Sequence, residues 1–501
     1  MTHRLHSPQE AAQWLHTHVR GSLHTDSRRV RAGDGFIAWP GGVSDGRQFV
    51  ASALAQGAAA CLVEQSGADA FDWSALPHAV ATYDGLKAAS GPIAAAYYEQ
   101  PSHALDVVAI TGTNGKTSSS WWLAHALRHV GQRCAIVGTL GVGEVDQLEV
   151  TGMTTPDPVL LQARLRDMVN SGVQACAVEA SSIGLAEHRL DGTQVRVAAF
   201  TNFTQDHLDY HGDMASYWQA KTALFDWPGL QAAVINVDDA QGAALAAQLR
   251  ARGDLAVWTV SCQAQDTPTT QHLQAQHITH AQHGLCFEVV EAGQGHALAT
   301  ALVGHYNVSN VLGVIACLRA LGHSLSSAVQ ACAALPAVPG RMEVVDSEAH
   351  QPLVVVDYAH TPDAVAHAVQ ALLPLAQSRG GVVTCVLGCG GDRDASKRAL
   401  MAEAAERHAH HVVLTSDNPR SEDPLQILQQ MRAGLSLPQA AHVIPDRAQA
   451  IAYAVEQANS HDVVLIAGKG HEDYQEIAGV KHPFSDVAQA RQALQHRRAH
   501  V

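Results

Sequence analysis

The run Leu105-Asp106-Val107-Val108-Ala109-Ile110-Thr111-Gly112-Thr113-Asn114-Gly115-Lys116-Thr117 decides the architecture of this chain. An apolar strand, Leu105–Thr111, passes straight into a glycine-bearing turn and then into a helix-like segment, Lys116–Val130. Glycines let the backbone turn tightly, so that successive N–H groups point at one anion, and the helix N-terminus adds favourable partial charge. Lys116 is placed to neutralise β- and γ-phosphates, and the Thr117 hydroxyl to meet Mg²⁺. One position departs from the general GxxxxGK[ST] pattern, which asks for glycine where Ile110 stands.

Further apolar runs follow at Val173–Val178, Val195–Phe200 and Ala232–Val237, with helix-like segments between several of them. That alternation predicts a largely parallel sheet covered by helices on its faces. Residues 258–303 are richer in Thr, Gln and His, and Leu285–Val290 reads as a strand of a small antiparallel excursion. After Pro336 and Pro339-Gly340 a second series begins: Leu353–Asp357, Val382–Leu387, His411–Thr415 and Val463–Ala467, most followed by an Ala-rich helix. This is the pattern of a doubly wound, Rossmann-like domain. The first hundred residues mix short elements with the turn signals Arg31–Gly35 and Pro40-Gly41-Gly42, and break at Gln100-Pro101-Ser102. The expected fold is therefore α/β in three domains: a smaller N-terminal α/β domain (1–102), a central P-loop-type parallel-sheet ATPase domain (103–336) and a C-terminal Rossmann-like domain (337–501).

Composition narrows the function. The chain has 501 residues, 47% of them hydrophobic and 16% charged, which is globular. A net charge of −15 and the lack of a Lys/Arg stripe argue against a nucleic-acid partner. The segment Met1–Trp14 has no apolar core of a signal peptide, and no run of about 18 apolar residues occurs. The nine cysteines are scattered, with Cys385 and Cys389 spaced wrongly for a CxxC site, so free thiols in a cytoplasmic protein are expected. Of the 31 histidines most read as solvated.

Ligands of open parallel sheets gather beyond the carboxyl ends of the strands. Seven conspicuous segments fall there: Gly112–Thr117, Glu179–Ser182, Asn202–His207, Asp357–His360, Gly388–Asp394, Asp417–Arg420 and Gly468–Glu472. Glu179, directly after Val173–Val178, is a hard-oxygen candidate for magnesium facing the phosphate loop. His207 is a candidate second ligand, and Lys221 lies in the helix-like stretch Ala215–Phe225. No Ser-His-Asp signature is present, and phosphoryl transfer needs none.

These residues resemble the Mur ligase family, the ATP-dependent amino-acid ligases of peptidoglycan precursor synthesis. The markers run in family order: Thr111–Thr117, Glu179-Ala180-Ser181-Ser182, Asn202–His211, the Lys221 helix, Gly304-His305-Tyr306-Asn307, Gly340-Arg341 and Asp357-Tyr358-Ala359-His360. Thr25-Asp26-Ser27-Arg28 and Asp417-Asn418-Pro419-Arg420 are similar to the branch that adds meso-diaminopimelate to UDP-N-acetylmuramoyl-L-alanyl-D-glutamate. The resemblance implies a cytoplasmic, monomeric enzyme of cell-wall biogenesis, and so of cell shape and division, that does not insert into membranes and takes ATP, the UDP-muramoyl-dipeptide and diaminopimelate as substrates. It implies an acyl-phosphate route with Mg²⁺ as cofactor.

Residue by residue, the resemblance makes Gly112, Thr113, Asn114, Gly115, Lys116, Thr117, Ser118, Asn307, Arg341, Asp357 and His360 the ATP site. It makes Thr117, Glu179, His207 and Lys221 (as its carbamate, N6-carboxylysine) the magnesium groups, with Lys116, Glu179, His207 and Lys221 carrying catalysis. Thr25, Ser27, Gly42, Val43, Ser44, Thr154, Thr155, Ser181, Glu187 and Arg189 match the UDP-muramoyl-dipeptide site. Arg393, Asp417, Asn418, Pro419, Arg420, Gly468 and Glu472 match the diaminopimelate site. Met153, Ile183 and Glu187 stand where Asn, His and Gln are frequent in the family. A lysine-adding or folylpolyglutamate-type ligase, and a nucleotide-binding relative that has lost ligation, are the alternatives on this scaffold.

Overall fold

The computed structural model describes residues 3–42, 44–73, 79–263, 271–281, 284–345 and 350–498. The chain forms two compact units, one gathering residues up to Gln274 with Glu291–Gly293 and Leu312–Ala331, the other Ala275–Val290, Gln294–Val311 and the chain from Cys332.

The first unit contains two sheets. The N-terminal one is parallel, in the order His3–Leu5, Ala79–Tyr83, Ala60–Glu64, Gly35–Ala38, Leu23–His24. Successive strand residues face opposite sides, so Ile37 and Leu62 enter one core with Leu15 and Ile93, while Phe36, Cys61 and Val63 enter another with Val50. Burial on both faces explains why these strands are apolar throughout rather than alternating.

The central sheet runs Ala256–Ser261, Ala232–Asn236, Val197–Phe200, Asp106–Thr111, Ala175–Glu179, Cys134–Gly138, all parallel, and ends in the antiparallel strands Gly141–Glu144 and Gln147–Glu149. Register sets the site: Glu179 lies beside Ile110, and Phe200 beside Thr111. The segments following three adjacent strands therefore emerge side by side. Ile110 is buried in the last turn of its strand, 1% exposed, so the loop's glycines are needed only after it.

The second unit's main sheet has the order Glu343–Val345, Leu353–Asp357, Val463–Ala467, Val383–Cys389, His411–Ser416, His442–Val443, parallel except for its first strand. Cys385 and Leu387 face one core and Val386 the other, again burying both faces. The strands His272–Ala281, Gly284–Glu291 and Gln294–Thr300 neighbour one another in sequence order. All nine cysteines are free thiols, with only Cys262 and Cys286 partly exposed. Element ends differ from the sequence reading by one or two residues, as where Val197–Phe200 replaces Val195–Phe200.

A fully buried ion pair braces the second unit. Arg447 holds Asp486 through Nε and Nη2, each at 2.7 Å, and donates to the carbonyls of Ser416 (3.2 Å) and Ala467 (3.0 Å) at two strand ends. Removing one partner leaves an uncompensated charge in the core, so Asp486→Ala is expected to cost about 3–5 kcal/mol. Chemical denaturation followed by circular dichroism checks this, and an unmoved midpoint refutes it.

Candidate active site

The phosphate loop is built by close backbone approach. Gly112 has φ +144°, and a Cβ there would fall 1.9 Å from Thr201 Oγ1. Gly115, φ +85°, caps the helix Lys116–His129. The segment after strand Val197–Phe200 straps the loop from outside. Thr201 Oγ1 donates to Asn114 O (2.6 Å), Asn202 Oδ1 accepts from Asn114 N (2.9 Å), and Thr113 Oγ1 donates to Thr204 O (3.1 Å). Lys116 Nζ is folded back onto the carbonyls of Gly112 (2.9 Å) and Thr113 (2.8 Å).

Glu179 is 1% exposed. Its carboxylate accepts from Thr117 Oγ1 at 2.9 Å and from Thr139 N at 2.8 Å, and Gly138 leaves the space it occupies. Two hard oxygen donors thus meet at the mouth of the phosphate loop, the donor chemistry that Mg²⁺ selects. Among the described residues no cluster of three or more His, Cys, Asp and Glu forms a complete metal cage. Magnesium sites in phosphoryl-transfer enzymes take their remaining ligands from phosphate and water, so this set fits.

Lys221 sits on the helix Met214–Thr222 and is 1% exposed. Its Nζ donates to Gly112 O at 2.7 Å and lies 4.4 Å from the centre of the Tyr217 ring. Burial, then the Lys116 charge, pull its pKa down to about 6, with Asp206 opposing. At neutral pH it is chiefly a free amine. His207, in the left-handed region at φ +51°, is also held below the usual histidine range, first by burial and then by Lys116 and Lys221, against Asp206. Its neutral imidazole has a lone pair for a metal.

Next to Glu179 four of the residues expected at the acceptor site, Thr154, Thr155, Ser181 and Arg189, come together. Thr155 Oγ1 donates to Glu179 O at 2.7 Å and lies 3.0 Å from Ser181 Oγ. Arg189 reaches Thr155 O at 3.0 Å, and Thr154 Oγ1 lies 3.1 Å from Thr139 Oγ1. Glu187 pairs with Lys87 at 2.7 Å and hydrogen-bonds Tyr210; burial opposes, yet these two partners hold its carboxyl below the ordinary range. The charge that replaces a neutral amide there is thus balanced. Thr25 bonds the half-buried Asp157, the N-cap of helix Pro158–Asn170, at the edge of a cavity of about 180 Å³ that Asp26, Arg29 and Arg164 also line. Ser27 opens a short turn capped by Asp26. Gly42 and Ser44 are exposed on a turn closed by Gly41 N–H to Ser44 O at 2.9 Å, and Val43 lies outside the described residues.

In the second unit, Arg341 stacks 4.4 Å over the Tyr358 ring. Asp357 accepts from Met342 N (2.8 Å) and Ala359 N (2.9 Å), and burial raises its pKa against the pull of Arg341. His360 is exposed beside Tyr358, and Asn307 is buried, bonded to Val303 O at 2.6 Å. His471 reaches the same neighbourhood; burial, then Arg341, lower its pKa to about 4.

Arg420, at φ +52°, donates through Nη1 to Gly391 O at 2.6 Å, with Nε 3.6 Å from Glu476. Asn418 Nδ2 donates to Glu472 Oε2 at 2.8 Å, and a Cβ on Gly468 (φ +115°) would lie 2.5 Å from Asp417 Oδ2. Pro419 is buried, and Arg393 is exposed on the Gly391–Asp394 loop, its Nη1 3.4 Å from Asp392 O. Sequence reasoning passed over Thr113's partner Tyr217 (3.1 Å between hydroxyls), and it marked the segment Asn202–His207 without the strap contacts of Asn202 and Thr204, which join residues about ninety positions apart in the chain.

Comparison with known proteins gives three family matches in chain order: "Mur ligase family, catalytic domain" at residues 21–98, "Mur ligase middle domain" at 110–318 and "Mur ligase, glutamate ligase domain" at 340–470. A relative from Acidovorax sp. (strain JS42), named UDP-N-acetylmuramoyl-L-alanyl-D-glutamate–2,6-diaminopimelate ligase, is 56% identical over 99% of this chain and 98% of its own. One of the same name from Janthinobacterium sp. (strain Marseille) is 47% identical over 97% and 96%. A solved structure of a ligase of that name superposes with a TM-score of 0.66 at 35% identity, covering 95% of each chain. Phosphate loop, strand-end carboxylate and buried lysine thus lie in a chain matched in all three domains and from end to end, and it belongs to the Mur ligase family.

Proposed function

We propose that this chain is an ATP-dependent ligase that joins meso-diaminopimelate to the D-glutamyl carboxylate of UDP-N-acetylmuramoyl-L-alanyl-D-glutamate, in cytoplasmic peptidoglycan precursor synthesis. Two lysines, Lys116 and Lys221, on the Gly112 carbonyl, with Thr117 bonded to the Glu179 carboxylate, carry the ligase reading. The relatives' shared name and Arg420 support the choice of substrates. The N-terminal residues 1–102 would take the UDP portion, 103–336 the ATP, and 337–501 the amino acid.

The acceptor's carboxylate oxygen attacks the γ-phosphorus, and the bond to the bridging oxygen breaks with ADP leaving. The diaminopimelate nitrogen then attacks the acyl carbon, the tetrahedral adduct expels phosphate with the bonding pair, and the nitrogen loses its proton. Positioning and charge stabilisation supply most of the rate in such transfers. Lys116 would release its loop carbonyls for the β- and γ-phosphates, while Thr154, Thr155, Ser181 and Arg189 orient the acceptor beside Glu179.

Thr117 and Glu179 would hold one magnesium ion, and His207 with a carbamate on Lys221 a second. Magnesium supplies charge neutralisation on the transferring phosphoryl group. The carbamate forms when the free Lys221 amine attacks CO2: the N–C bond forms, a C–O π pair moves onto oxygen, and the nitrogen proton leaves to solvent. An ammonium cannot ligate a cation, whereas the carbamate presents anionic oxygen.

Phosphate release is expected only with ATP, the UDP-muramoyl-dipeptide and meso-diaminopimelate all present, measured by a coupled phosphate assay. Release without the dipeptide refutes the ligase reading. Equal turnover with lysine refutes the choice of diaminopimelate.

A further inference from the structure

The loop that follows strand Val463–Ala467 carries a lysine to which the proposed reaction gives no role. Lys469 has no exposed surface. A lysine is almost never buried unless paired, because taking its charge out of water is costly. Its Nζ donates to Asn418 Oδ1 and to Glu472 Oε2, both at 3.0 Å, and lies 3.8 Å from Asp417 Oδ1. All three neighbours belong to the group assigned to the incoming amino acid.

We infer that Lys469 is a positioning residue for that amino acid, acting through Asn418 and Glu472; the inference rests on the function proposed above. Asn418 Oδ1 accepts from Lys469 and from Glu476 N–H at 2.9 Å. Two donors on one oxygen fix which way the amide faces, since its NH2 cannot accept from either. The NH2 is thereby turned to Glu472 Oε2, at 2.8 Å. Glu472 Oε2 then receives two donors, Lys469 and Asn418, and Oε1 is the oxygen turned over to a ligand's ammonium. Lys469 also stands between the Asp417 and Glu472 carboxylates, whose repulsion would otherwise splay them.

An amino-acid ligand offers ammonium and carboxylate groups together, so it needs acceptors and donors held in fixed places rather than a net charge. Pre-orientation of the acceptors shows in the affinity for that ligand and not in the handling of ATP.

Steady-state kinetics with each substrate varied tests this. Wild-type turnover with ATP, the UDP-muramoyl-dipeptide and diaminopimelate is read first, and its absence overturns both the function and this inference. Lys469→Met keeps the volume and removes the charge. The KM for diaminopimelate is expected to rise about 30-fold, with the KM values for ATP and dipeptide within about threefold of wild type. Equal changes in all three, or an unmoved diaminopimelate KM, overturn the positioning role while leaving the function standing. The pair Glu472→Gln and Lys469→Met/Glu472→Gln closes the test even where the single variant folds poorly, since the double variant leaves no unpaired carboxylate at position 472. If Lys469 acts through Glu472, the added Met raises the diaminopimelate KM by less than about threefold. A full, independent 30-fold rise in that background overturns the inference.

Discussion

Lys221→Ala is expected to lower kcat by about 10³-fold, the loss that follows removal of one preorganised charge-stabilising group. Acetate or formate should restore part of it. The side chain is enclosed by the Gly112 carbonyl and the Tyr217 ring. Truncation therefore leaves a small space beside the phosphate loop that a short carboxylate can enter, standing in for the carbamate oxygens. Near-normal activity in the Ala variant would refute the carbamate, and failure of every carboxylate to restore turnover would count against a metal-side anion there.

The pH dependence follows from the same burial. With a pKa of about 6, Lys221 is protonated and unreactive towards CO2 below that value and a free amine above it. Activity of enzyme equilibrated with bicarbonate should fall as pH drops through about 6, and the acid limb should be absent from the carboxylate-rescued variant. Stability carries the opposite signature of an ordinary lysine pair. Between about 6 and the usual lysine value of 10.5 the unfolded chain holds a proton that the folded chain has shed, so the unmodified protein gains stability as pH rises across that window. Lys221→Ala removes that slope, which thermal melts at several pH values measure.

The parts of the site legible in the sequence are those set by local chemistry. Gly112 to Thr117 reads as a phosphate loop because strand, glycine turn and helix are contiguous, and Glu179 is exposed to inference because it ends an apolar run. Arg420 belongs to the same class, since Asp417–Arg420 is a continuous motif after a strand. What escaped depends on distant pairing. Tyr217 meets Thr113 across more than a hundred residues, and Arg447 meets Asp486 between two helices. Lys87 balances Glu187 from a different sheet's helix. None of these has a periodicity, a spacing or a turn residue of its own. A buried lysine such as Lys221 or Lys469 looks, in sequence, like any solvated lysine on a helix or loop; only the fold shows that water is excluded from both. The two lysines also differ, in a way the sequence does not express. Lys469 has carboxylate and amide partners around it, whereas Lys221 has a carbonyl, an aromatic face and another cation nearby. The first environment suits an ammonium, the second a neutral amine open to modification.

Arg420→Lys is expected to raise the KM for diaminopimelate about 100-fold while leaving that for ATP within about threefold, because a charge-assisted bidentate contact is worth about 2–3 kcal/mol. Diaminopimelate differs from lysine by a carboxylate at its far end, and a guanidinium grips a carboxylate through two parallel N–H bonds that an ammonium cannot reproduce. The left-handed backbone at Arg420 and its anchors, Nη1 on Gly391 O and the main-chain bonds to Glu476 and Ala478, fix where the fork can point. Glu476, 3.6 Å from Nε, keeps the guanidinium paired on one edge, which leaves the other edge to a substrate carboxylate. Lysine as substrate would bring no such group and would desolvate that open edge of Arg420 without pairing it, so wild-type selectivity arises partly from that penalty. The variant relieves the penalty as well as losing the grip. The ratio of kcat/KM for diaminopimelate over lysine should therefore fall by more than the loss of diaminopimelate affinity alone, and competition between the two amino acids in one assay measures it directly. Matching losses for diaminopimelate and ATP would point to a misfolded domain, and an unchanged ratio would place the carboxylate on another residue.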